Sequence, residues 1–241
     1  TIGGLSGSSG ATVALGEQTL TVDQDENTEF AGTIEGSGNL VLEGNGTLNL
    51  TGDSTYTGET LVNGGTLAVN GSIISDVTVN SGGTLGGNGS TGDATIAEGG
   101  TLAPGNSIGR LTVNGDLAFA AGSIYEVEVN AAGQADRVDA TGSVTIASTA
   151  SMAIMAEDGD YAPRTDYVVI TGAEGVSGTF GTVTTDLAFL NPLLRYSGNQ
   201  VTLSLYRNDV DFVDAAVGAN QASVANAVQV LGIDNPLFEA V

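Results

Sequence analysis

The chain is a succession of short apolar–polar alternations separated by glycine-bearing breaks. Thr47-Leu48-Asn49-Leu50, Thr66-Leu67-Ala68-Val69 and Val77-Thr78-Val79 carry apolar side chains at every second position, the period of a strand with one buried face. One phrase keeps returning: Gly44-Asn45-Gly46-Thr47-Leu48, Asn63-Gly64-Gly65-Thr66-Leu67, Ser81-Gly82-Gly83-Thr84-Leu85 and Glu98-Gly99-Gly100-Thr101-Leu102. Its threonines, Thr47, Thr66, Thr84 and Thr101, stand 19, 18 and 17 residues apart. Asn-Gly pairs beginning at Asn45, Asn63, Asn70, Asn88 and Asn114 punctuate the pattern. Both residue types tolerate positive φ, so each pair is expected to make a tight corner.

A meander of hairpins also uses Asn-Gly between alternating segments. The near-constant repeat favours a coil instead, in which successive leucines stack turn on turn. The fold class expected is all-β: a right-handed, single-stranded parallel β-helix, with coils about 4.8 Å apart, a C-terminal β cap and a short terminal helix. Residues 1–113 are assigned to regular coils, and Leu48, Leu67, Leu85 and Leu102 to one interior ladder.

Beyond Asn114 the texture changes, and residues 114–206 are assigned to the cap. Ile124-Tyr125-Glu126-Val127-Glu128-Val129 is an amphipathic strand with Tyr125, Val127 and Val129 on one face. Further strands are expected at Val144–Ala147, Ser151–Met155, Tyr167–Thr171 and Gln200–Tyr206. Met155–Arg164 and Thr184–Leu194, which hold Pro163 and Pro192, read as turns. In the remaining segment, 207–241, Asn220 is placed as the cap of a helix running to Leu231, stopped by Gly232 and followed by Pro236. Val217, Val224, Val228 and Leu231 share a face at helical spacing.

Composition removes several functions. Of the 241 residues 37 are Gly and only 4 Pro, which suits many tight turns; with 41% hydrophobic residues a packed core is within reach. There are 28 acidic residues against five basic ones, all Arg, and the net charge of −23 repels nucleic-acid phosphates and anionic lipid. The absence of Cys and His excludes disulfides, thiol nucleophiles, and the commonest general base and metal ligand. No leader peptide and no run long enough for a membrane helix is visible.

Two segments resemble a known family. Thr55-Tyr56-Thr57-Gly58-Glu59-Thr60-Leu61-Val62-Asn63-Gly64-Gly65-Thr66-Leu67 is similar to the passenger-associated transport repeat of bacterial autotransporters. Gly100-Thr101-Leu102-Ala103-Pro104-Gly105-Asn106-Ser107-Ile108-Gly109, followed by Leu111-Thr112-Val113-Asn114-Gly115, resembles it more closely still. Residues 115–206 look like the pertactin-like autochaperone region, and Asn208 to Ala222 like the start of the link to the translocator. The resemblance implies type V secretion, display on the surface of a Gram-negative bacterium, and a translocator β-barrel as partner. No amphipathic membrane strands for such a barrel occur in the sequence.

Candidate chemistry is thin. Gly52-Asp53-Ser54 resembles an esterase nucleophile block, but the base would be His, so a turn between coils is the better reading. Gly86-Gly87-Asn88-Gly89-Ser90-Thr91-Gly92 approaches a calcium-binding roll, with Thr91 where the roll needs Asp. Calcium in oxygen-rich turns stays open, though no ligand spacing supports it. The clusters Asp23, Asp25, Glu26 and Glu157, Asp158, Asp160 read as solvated loops, and Arg137 and Arg164 as locally paired with neighbouring acids. No enzyme, cofactor or metal site is expected. Leu102, Ile108, Leu111, Val113, Tyr125, Val127, Val129 and Val138 are expected to form the apolar core of a cap that folds first and seeds the coils. The rival is an adhesin contacting host or sister-cell molecules, or a stalk below an upstream catalytic part.

Overall fold

A computed structural model describes residues 1–208, 210–211, 213–214 and 216–231. Among them the strands form three eight-stranded sheets and one two-stranded sheet. As far as Thr182–Thr185 consecutive strands fall in different sheets, and each eight-stranded sheet gathers every third strand along the chain. The chain therefore coils, laying one strand per sheet in each turn. The pairs are parallel throughout this stack, so the molecule is a parallel β-helix.

The alternating sequence produces this coil because a parallel stack puts equivalent residues of successive turns directly over one another. Leu48, Leu67, Leu85, Leu102, Tyr125, Met152 and Val183 are consecutive partners in one sheet. Val22, Leu42, Val62, Val79, Ile96, Phe119 and Ile146 form the matching column in another. All are buried except the half-buried Val183, and each fully enclosed Leu or Val contributes about 1.5–3 kcal/mol. The intervening Thr, Asn and Glu positions face outward.

The sheets run without a break through the boundary expected at residue 114. Ala94 pairs with Leu117, Leu102 with Tyr125 and Leu111 with Val138. Residues 114–185 are thus further coils of the same solenoid rather than a separate cap. What changes is coil length: the steps Leu102–Tyr125, Tyr125–Met152 and Met152–Val183 are 23, 27 and 31 residues. The added residues lie mainly in one corner, where bends at 105–109, 130–136 and 157–163 replace the two-residue connections 70–71 and 88–89.

The parallel stack ends in antiparallel pairing. Arg164–Gly172 takes Gln200–Arg207 as its neighbour, and that strand takes Leu190–Ser197. Leu190–Ser197 falls where a turn is expected from Pro192. It is the edge strand of its sheet, a place where a residue without an N–H is tolerated in a ladder. The same Pro makes the edge a poor template for another chain.

The Asn-Gly pairs beginning at Asn45, Asn63, Asn70, Asn88 and Asn114 all lie at corners between strands, as expected, but Asn holds them in another way. Positive φ occurs on glycines and on no other described residue, so Asn does not shape the corners by adopting it. Its side chain reaches the next coil instead: Asn70 Oδ1 accepts the Asn88 N–H at 3.0 Å, and Asn88 Oδ1 accepts the Arg110 N–H at 2.9 Å. Asp76, Asp93 and Asp116 do the same at another corner, accepting the N–H groups of Asp93, Asp116 and Ser143. Each coil thereby fixes the register of the one above it. At the C-terminus the helix is Ala219–Leu231, so Asn220 lies inside it and does not cap it. Gln221 reaches back to the Val217 N–H at 3.0 Å. Its expected apolar face finds no core, with Val217 at 95% and Val224 at 65% exposure. Gly232 and Pro236 lie outside the described residues.

Candidate functional site: the lengthened bends and the closing strands

The widest coils are filled by aromatic residues. Phe119, Tyr125 and Phe180 come from three different strands or turns and meet with ring centroids 5.2–6.1 Å apart. Tyr125 is completely buried and donates its hydroxyl to the Val169 carbonyl at 2.7 Å, so its polar tip is satisfied. Burial holds the phenol well above its usual pKa of 10, which keeps it neutral. Tyr196 closes the cluster by accepting the Phe180 N–H at 3.0 Å. Leu102, Leu111, Val113, Val127, Val129 and Val138 are buried in the same continuous core. Ile108 is the exception. It lies half-buried in the 105–109 bend and outside that core, because the bend swings out of the strand path before Arg110–Val113 begins.

The bends themselves are tied across coils. Gly87 and Gly105 exchange N–H···O bonds of 3.1 and 2.9 Å, laying the 105–109 bend back over the coil below. From there Asn106 donates to Asn70 at 2.8 Å, across 36 residues of sequence. Asn130 and Gln134 close the next bend as a hairpin. Tyr161 from the third bend donates its hydroxyl to the Val129 carbonyl at 3.0 Å. Between the first bend and the sheet lies a groove of about 430 Å³, lined in part by Ala68, Gly86, Ala103, Asn106 and Glu126.

Two carboxylates serve this corner. Asp139 is nearly buried; it receives the Arg137 guanidinium at 2.6 Å, that of Arg110, and the Thr171 hydroxyl. Arg110 and Arg137 are partners in adjacent strands, and Asp139 between them relieves the repulsion of stacked cations. Asp136, two percent exposed, takes no Arg. Its oxygens accept the Gly109 and Glu128 N–H groups, both at 2.8 Å. Burial is the main cause pushing its pKa up to about 7; the two N–H bonds oppose the rise, and Glu128 and Glu157 add to it. Arg164 pairs with Asp166 at 3.0 Å in the closing strands.

The residues singled out for chemistry sit in structural roles. Ser54 is buried in a strand and its hydroxyl accepts the Ile34 N–H at 3.0 Å, while Asp53 accepts the Ser72 hydroxyl at 2.7 Å. Thr91 is buried and bonds the Gly92 carbonyl. Among the described residues no group of three or more acidic side chains is placed to hold a metal ion. Asp136 is the site residue that the sequence hides: beside Arg137 it reads as half of a surface ion pair.

Fold and repeat together resemble the parallel β-helix passenger of an autotransporter. Residues 40–69 match the passenger-associated-transport-repeat, and that match contains the Thr55–Leu67 segment. Two proteins from Serratia marcescens, each named an extracellular serine protease, are 35% and 31% identical to the chain over 142 residues. Each match covers 56% of this chain and 14% of the relative. No described helix is long and apolar enough to cross a membrane.

Proposed function

We propose that this chain is the non-catalytic, C-terminal part of an autotransporter passenger, displayed outside the outer membrane, and that its last coils are the autochaperone. In this reading residues 115–206 fold first and template the coils that precede them. The observation that carries it is the closing of the stack: the aromatic cluster of Phe119, Tyr125 and Phe180 lies under the antiparallel strands Arg164–Gly172, Gln200–Arg207 and Leu190–Ser197. A solenoid end without such closure leaves apolar ladder residues and strand edges open to water. Export from the C-terminus, which the family likeness suggests, brings this closed end out first. Each coil added afterwards buries its ladder residues and biases the chain outward. The serine-protease activity in the relatives' names has no counterpart among these residues, since the chain has no His to act as base.

Amide hydrogen exchange of the folded chain tests the order. The slowest amides are expected in Ile124–Val129, Arg164–Gly172 and Gln200–Arg207, opening only with global unfolding. Amides of Thr47–Leu50 and Gly65–Val69 are expected to exchange at least about tenfold faster, through sub-global opening. Slower exchange in the Gly-Thr-Leu coils than in the closing strands would end the proposal.

A further inference from the structure

We propose that Asp136 is a proton-operated clasp: its ionised carboxylate ties the 105–109 bend to the strand Ile124–Val129, and protonation releases the bend. The geometry makes this a two-point hold. One oxygen accepts the Gly109 N–H and the other the Glu128 N–H, so both lone-pair sites are needed at once. A protonated carboxyl has one oxygen committed as a hydroxyl, a poor acceptor, and keeps only one strong bond.

The bend is built to transmit the change. Gly105 has φ +93°, and a Cβ there would stand 1.9 Å from the Ser107 carbonyl oxygen, so the bend holds a conformation reserved for Gly. Its tip reaches Asn70 through Asn106, and Ser107 faces Glu157. Releasing Gly109 therefore loosens a link that spans the short coils and the long ones.

The surroundings set the working range near neutrality. Glu128 on the same strand and Glu157 after the strand Ser151–Ala156 face the carboxyl and repel its charge. Tyr125 on that strand stays neutral. Arg137 and Asp139, on the strand that follows Asp136, engage each other, and Arg110 beyond the bend is held by Asp139. Burial, with the two glutamates adding to it, thus outweighs the two N–H bonds and leaves the carboxyl pKa at about 7.

The test is amide protection and amide shift at Gly109 and Glu128 between pH 5.5 and 8.5. At least one of these amides is expected to gain about tenfold in protection as pH rises, the difference between a neutral and a charge-assisted hydrogen bond. The Arg110 N–H, one residue away but held by the neutral Asn88 amide, is the internal control and should not titrate. Asp136→Asn should remove the transition. Should that variant fail to fold, Glu157→Gln decides, because removing one repelling charge should move the midpoint to lower pH. Flat profiles at both amides in the wild type overturn the clasp. So does a transition that Arg110 shares equally, or one that Glu157→Gln leaves in place. The readout is local, so its failure leaves the order of folding proposed above untouched.

Discussion

Tyr125→Asp is expected to leave the long coils unfolded, with the short coils losing their template. The side chain is fully buried between Phe119 and Phe180. Replacing it with a carboxylate removes the ring and leaves a charge with no partner. Large aromatic truncations in cores cost about 3–5 kcal/mol, and an unpaired buried charge adds several more. That total is comparable to the whole stability of an ordinary domain, about 5–15 kcal/mol. Tyr125→Phe separates the two parts of the loss. It keeps the ring and leaves the Val169 carbonyl without its 2.7 Å partner, at a cost of about 1–3 kcal/mol. Denaturant titration of the purified chain should therefore give a lowered midpoint for Tyr125→Phe and no cooperative transition for Tyr125→Asp. In the exporting cell, synthesis should be unchanged and the surface-displayed fraction lost in Tyr125→Asp only. Cooperative unfolding of Tyr125→Asp near the wild-type midpoint would show that the aromatic cluster does not hold the long coils.

Leu48, Leu67, Leu85 and Leu102 could be placed in one column from sequence alone because a parallel coil needs only a period and an alternation to set its register. The long coils kept the alternation in Ile124–Val129 but lost the period. Insertions of unrelated sequence at 105–109, 130–136 and 157–163 all enter at one corner, and nothing in their composition says so. A change of repeat length therefore looked like a change of fold. Asp136 was hidden for a related reason. Its burial depends on the Gly109 amide, 27 residues earlier, while its neighbour Arg137 offered a plausible but unused partner. Leu190–Ser197 was obscured by Pro192 and by the adjacent Leu193-Leu194, which break strict alternation. An edge strand tolerates both, since only one of its sides is paired. The valines after residue 216 alternate at helical spacing, yet pattern says nothing about whether a partner surface exists, and none of the helix is buried.

Gly87→Ala is expected to destabilise the chain by about 3 kcal/mol, whereas Gly10→Ala should change it by less than about 0.5 kcal/mol. Gly87 sits at the corner where the short coils meet the first long one, with φ +99°. A side chain in that region costs about 1–2 kcal/mol from contact with its own backbone. The new Cβ would also stand 2.2 Å from the Val69 carbonyl oxygen of the coil below, and relieving such a contact in a packed stack costs about 1–3 kcal/mol. The corner has no room to yield. Gly87 is bridged to Gly105 above, and the neighbouring Asn88 N–H is held by Asn70. Moving Gly87 away from Val69 strains those bonds in turn. Gly10, by contrast, has nothing within 4 Å of the added atom, so it reports what the same chemical change costs where no coil lies beneath. Because each interior strand pairs with the turns above and below it, the Gly87 lesion should also split the stack. Hydrogen exchange in Gly87→Ala is expected to accelerate in Thr47–Leu50 and Gly65–Val69 while Arg164–Gly172 and Gln200–Arg207 keep their protection. Uniform loss of protection along the chain would mean that the solenoid unfolds as one unit, and that its closed C-terminal end has no stability of its own.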